Sequence, residues 1–160
     1  MPLPRADLPT HSVENQPAPR RPRLWEDDLP LREAIAAQGG QAEPAQTLAA
    51  RISTPAMIEA GRAANRNPPE LRTHDAGGRR LDEVTFHPAY HQLMQAGLEA
   101  GYSAIGWEGG AGGHVTHAAM VYLMGQVEPG VCCPMTMTYA AVPALGADPQ
   151  LAACWVPKLT

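Results

Sequence analysis

The chain has 160 residues, 44% of them hydrophobic, and a formal net charge of −4; that is enough for one domain with a real core, and it excludes wholesale disorder. Only one Phe, three Trp and four Tyr stand beside 17 Pro and 15 Gly, so the core falls to Ala, Leu, Val, Ile and Met, and short helices are favoured over a β-sandwich or barrel. Residues 1–80 hold 11 Arg against 10 acids, and residues 81–160 hold one Lys against six acids, a balance that argues against DNA binding through this segment.

Residues 1–28 are rich in proline and lack a helical period, so they read as an extended arm that orders only on another surface. Arg20, Arg21 and Arg23 are its tightest basic cluster, where a solvated tail outweighs a phosphate contact. Residues 29–160 read as the helical domain. Leu31, Ala34 and Ile35 share a face of a first helix that Gly39 and Gly40 stop. A second helix is predicted from about Pro44 to Ile52. Thr54 and Pro55 supply an N-cap and a first-turn proline for a third, ended by Asn67 and two prolines. Over 70–87, Asp75 to Gly78 sit between two short segments, which predicts a small hairpin that does not build the fold. His87 and Pro88 open another helix, with Tyr90, Leu93, Met94, Gly97 and Leu98 on one face.

The stretch 106–113 is glycine-rich but matches neither dinucleotide nor Walker spacing, so a flexible linker is expected. From His114 to Glu128 a helix is predicted with Val115, Ala118, Ala119, Tyr122, Leu123 and Gln126 in phase; it is apolar nearly all round and so buried on several sides. Another starts near Pro134, with Pro143 weakening its last turn. Asp148 and Pro149 cap a final helix through Trp155. The fold class is all-α, with six or seven short helices and one hairpin.

No run of 18 apolar residues predicts a membrane span, and the first residues lack the apolar core of a signal peptide. Cys132, Cys133 and Cys154 form no disulfide framework; they read as buried thiols in a reducing, cytoplasmic setting. His87 and His91 are four residues apart, with Asp82 and Glu83 nearby, and His114 and His117 are three apart. Without HExxH or a third ligand, capping outweighs zinc for the first pair, and the second has less support still. The adjacent acids Asp27–Asp28 and Asp82–Glu83 point apart in regular structure, and acid/base work needs convergence. A nucleophilic Cys132 or Cys133 needs a lowered pKa that so apolar a stretch does not favour. Met135, Thr136, Met137, Thr138 and Tyr139 combine polarisable and hydroxyl groups, which suits either an apolar ligand slot or an ordinary buried helix.

Four strings stand out together: THSVENQP at 10–17, EAGRAANRNPPEL at 59–71, GRRLDEVTFHPAYH at 78–91 and CPMTMTYA at 133–140. In that order they resemble the N-terminal domain of the AidB-type, alkylation-response branch of the acyl-CoA dehydrogenase superfamily, over nearly the whole chain from Thr10. The resemblance implies a flavoprotein of three parts: this helical domain, a β domain and a C-terminal helical bundle. It implies FAD as hydride acceptor, a carboxylate base for an acyl thioester, a homo-oligomer at full length, and a link to DNA alkylation through the C-terminal region. It also implies that the helix holding Met135, Thr136, Met137, Thr138 and Tyr139 lies near the base of the acyl pocket.

The family's β-domain flavin motif, catalytic carboxylate and basic C-terminal region have no matching positions in this sequence. No catalytic or flavin-contacting residue is therefore carried over. The chain is expected to be part of a longer protein, inactive alone and not retaining FAD, with its missing domains as partners. A non-enzymatic helical oligomerisation module is the rival expectation.

Overall fold

The computed structural model describes residues 23–108 and 110–160. The proline-rich arm therefore lies outside the described residues up to 22, as do Arg20 and Arg21; residues 24–27 form a turn that buries Trp25. Eight helices follow among the described residues: α1 (Leu29–Ala37), α2 (Ala42–Ile52), α3 (Pro55–Arg66), α4 (Pro88–Glu99), α5 (Ile105–Glu108), α6 (Gly113–Gly125), α7 (Cys132–Leu145) and α8 (Pro149–Leu159). Strands β1 (Glu70–His74) and β2 (Arg80–Thr85) join α3 to α4.

The helix starts follow from their caps. Asp28, Thr54, His87 and Asp148 each accept a backbone N–H of the following turn, and each precedes a proline in the first turn. The cap removes an orphan donor, and the proline needs none. The final helix runs on past Trp155 to Leu159, with Pro157 inside its last turn.

Strands β1 and β2 pair antiparallel, with Leu71 opposite Val84 and Arg72 opposite Glu83. The register slips between Arg72 and His74, where Asp82 takes a positive φ of 51°. Both strands are exposed over nearly their whole length. The hairpin thus adds little to the core, as its sequence predicts.

The core is built by α2, α4 and α6 with the first turns of α7. Ala45, Leu48, Ala49 and Ile52 meet Leu93, Ala96, Met120, Leu123 and Met124. Small and unbranched side chains fill it, and Trp25 and Tyr102 are its only aromatics among the described residues. On α4, Gly97 leaves room for Met135: an added Cβ would lie 2.7 Å from the Met135 sulfur.

The structure differs from the sequence expectation at α6 and at the glycine-rich stretch. The buried side of α6 holds Thr116, His117, Met120 and Met124 together with the expected Ala119 and Leu123, whereas Ala118, Tyr122 and Gln126 are exposed. With apolar residues all round, periodicity offered no contrast by which to choose a face. The glycine-rich stretch also differs from a plain linker. Ile105–Glu108 is a helical turn, and Gly112, at φ 81°, abuts the Gly39 carbonyl so closely that a Cβ would collide with it. Thr116 secures the same junction, accepting from Gln41 N at 2.8 Å and donating to the Gly112 carbonyl at 3.0 Å.

Candidate functional site

The five residues singled out on α7 do not converge on one cavity. Met135 is fully buried, and its carbonyl accepts from Ser103 Oγ at 3.1 Å. Thr136 Oγ1 shares a 3.0 Å hydrogen bond with the Tyr102 hydroxyl. Thr138 Oγ1 turns back onto the Pro134 carbonyl at 3.0 Å, a common use of a mid-helix threonine. Met137 is 68% exposed. Helical geometry puts Met135 and Tyr139, four apart, on the inner side and turns Met137, two from each, outward, so the segment spans core, junction and surface at once.

Tyr139 is the most restrained of the five. Its ring stacks on His117, with centroids 3.7 Å apart and planes at 10°, and lies 5.0 Å from Trp107. Its hydroxyl meets His114 Nδ1 at 2.8 Å, and its carbonyl accepts from Trp107 Nε1 at 3.0 Å. His117 Nδ1 in turn donates to the Tyr102 carbonyl at 2.7 Å. Burial lowers the His117 pKa, partly countered by that hydrogen bond. Burial also pushes the Tyr102 phenol up to about 12 and raises the Cys132 thiol. This cluster of interlocked rings joins α5, α6 and α7. Sequence reasoning placed His114 and His117 only as a weak metal pair. No local signal could have found the cluster, because Tyr139 is distant from His117 in sequence and is brought to it by the fold.

The other candidates have structural work. His87 Nδ1 accepts from Ala89 N at 3.2 Å, and His91 sits edge-on to Phe86 and Tyr90. Asp28 caps α1 and accepts from the Tyr122 hydroxyl at 2.9 Å. Asp82 pairs with Arg80, and Glu83 with Arg72. Arg23 pairs with Glu26 and Asp27. Of the thiols only Cys132 is buried; Cys133 and Cys154 are exposed, against expectation, because one faces outward on α7 and α8 buries no residue. Among the described residues no group of three or more His, Cys, Asp or Glu could hold a metal. No helix there is long and apolar enough to cross a membrane.

Two shallow recesses, of about 290 and 150 Å³, are lined by Arg23, Leu24, Asp27, Asp28 and Gln126 and by Gly61, Arg62, Asn65, Val127, Glu128 and Pro129. Neither reaches α7. The described glycines of 106–113 offer no phosphate cradle, since Gly112 is closed by Gly39, Gly106 lies against Tyr139 and His114, and the one charge there is the acid Glu108. What α7 does offer is an outward strip of Cys133, Met137, Ala140 and Ala144, on a helix of 14 residues without a single charge.

The model of the adaptive response protein AidB N-terminal domain matches residues 15–160. The chain belongs to that family. It is 44% identical over 141 residues to the putative acyl-CoA dehydrogenase AidB of Escherichia coli (strain K12), covering 85% of this chain and 26% of that protein. It is 34% identical over 88 residues to acyl-CoA dehydrogenase family member 11 of Caenorhabditis elegans, covering 53% of this chain and 14% of that one. Among solved structures, the apo form of Bd2924 superposes with a TM-score of 0.73 at 25% identity, over 90% of this chain and 30% of that one. The Caenorhabditis elegans ACDH-11 complex with C11-CoA gives 0.66 at 25% identity, over 96% and 28%. The chain is thus the N-terminal part of an AidB-like acyl-CoA dehydrogenase homologue and spans about a quarter of the length of its E. coli relative. An independent oligomerisation module is not favoured.

Proposed function

We propose that this chain is one wall of an acyl-thioester site in a longer FAD-dependent protein. The observation that carries the reading is the uncharged outward strip of α7 with Met137 at its centre. A surface helix without charge is a face awaiting a cover, and an exposed Met adapts to an alkyl chain. The C11-CoA bound by the C. elegans neighbour supports the acyl-thioester class.

Bound FAD would supply the hydride acceptor for the acyl chain. This chain would meet it or the acyl group through apolar contact alone; the pyrophosphate and the α-proton would be held by residues beyond the 160. Tyr139, locked by His117, His114 and Trp107, gives that wall a fixed hydroxyl edge, and Thr138 lies on its half-buried side. At full length the protein is expected to be a cytoplasmic homo-oligomer in the response to DNA alkylation, with DNA contacts made outside this acidic segment.

The test uses the full-length polypeptide, desalted and mixed with a medium-chain acyl-CoA. It should be yellow and should bleach as the flavin is reduced. Met137→Glu, which sets a charge against the alkyl chain, should slow bleaching by about tenfold or more without loss of flavin. A colourless protein, or bleaching unaltered by both Met137→Glu and Thr138→Trp, would contradict the proposal.

A further inference from the structure

Tyr139 is the last residue of α7 with a hydrogen bond or ring contact to the helices before it, among the described residues. Beyond it, no residue of α7 or α8 has such a bond or ring contact to those helices among the described residues, and α8 packs chiefly on α7. We propose that the stacked pair of His117 and Tyr139 is an acid-sensitive latch, with His117 as its sensor, holding the end of α7 and α8 against α5 and α6.

A carbonyl can only accept, so the Tyr102 carbonyl fixes the proton of neutral His117 on Nδ1. Acid must then add the second proton at Nε2, in a residue only 6% exposed. The groups facing the ring offer no counter-charge. Its own helix presents His114, whose charge would repel. The turn before α5 presents Tyr102, with its carbonyl already used. From α7 comes the Tyr139 ring, and from α5 comes Trp107 behind it. Glu108 at the end of α5 is exposed and does not act on His117. The charges of α1 and α2, which pack on other sides of α6, do not act on it either. The Tyr139 face compensates an imidazolium in part, but burial is the larger influence and holds the pKa below its ordinary 6.5. The ring gains water most directly by losing its stacked cover, which is Tyr139.

The sign follows from linkage. A histidine with a lowered folded pKa leaves the closed latch fully stable above 6.5 and weakens it as pH falls from there towards the folded value. The closed-to-open ratio then drops by up to about tenfold per pH unit. The latch shares Tyr139 with the proposed acyl site, but it is read by hydrogen exchange and needs no acyl ligand, so either can fail without the other.

The experiment is amide hydrogen exchange on this chain at about pH 7.5 and about pH 5.5, corrected for intrinsic rates. Amides at the end of α7 and in α8 should lose protection, by up to about tenfold per pH unit below 6.5, while those of α2 and α4 keep theirs. His117→Gln retains an N–H for the Tyr102 carbonyl but does not titrate, and should abolish the pH dependence; His114→Gln should leave it in place. Because His117→Gln can disturb the core, the His117 ring of the unaltered chain is also titrated by NMR, with a pKa below 6.5 expected. A pKa at or above that value, protection of α8 indifferent to pH, loss shared equally by α2 and α4, or a pH dependence removed by His114→Gln would overturn the latch.

Discussion

Helices α6 and α8 are both apolar sequences. Yet α6 buries Thr116, His117, Met120, Leu123 and Met124, whereas α8 buries no residue and leaves Leu151 and Trp155 nearly half exposed. The difference lies in their neighbours. Helix α6 is enclosed by α1, α2, α5 and α7, and α8 packs chiefly on α7. An apolar helix therefore identifies a surface that needs cover; the cover itself is a property of the rest of the fold.

The contrast is open to direct disturbance. The largest effect is expected at the enclosed end. Leu48→Ala, on the face of α2 turned to the core, should lower the unfolding free energy by about 3 kcal/mol in denaturant titration. Leu151→Ala on α8 should cost less than about 0.5 kcal/mol. Equal losses would mean that the two regions share one core.

A gentler probe leaves the fold intact. Cys133 and Cys154 are exposed, while Cys132 is buried, with its thiol raised by burial and directed at the Glu128 carbonyl. A chromogenic disulfide reagent should release two thiols quickly from the native chain. The third should appear about a hundredfold more slowly, or only on unfolding. Three fast thiols would show that the start of α7 is as loose as α8.

Much of this fold is readable locally. Thr54 before Pro55, His87 before Pro88 and Asp148 before Pro149 each announce a helix, because caps and first-turn prolines act within four residues. The turn at Asp75–Gly78 announces the hairpin in the same way: Asp75 Oδ1 accepts from Gly77 and Arg79. What could not be read depends on distant partners. Gly112 is glycine because of Gly39, and Gly97 because of Met135. His117 is buried because Tyr102 and Tyr139 meet it from other elements. The segment 135–139 was legible as unusual in composition, but not its division between core, junction and surface. That division follows from how α7 crosses α4 and α6.

The central claim is that α7 and α8 present a face completed by the remainder of a longer polypeptide. Hydrogen exchange on α8 tests it most directly, measured in this chain alone and in the full-length protein at one neutral pH. The account predicts α8 amides at least about a hundredfold less protected than those of α2 and α6 in the chain alone, rising to comparable protection at full length. Equal protection of α8 in the two proteins would contradict it.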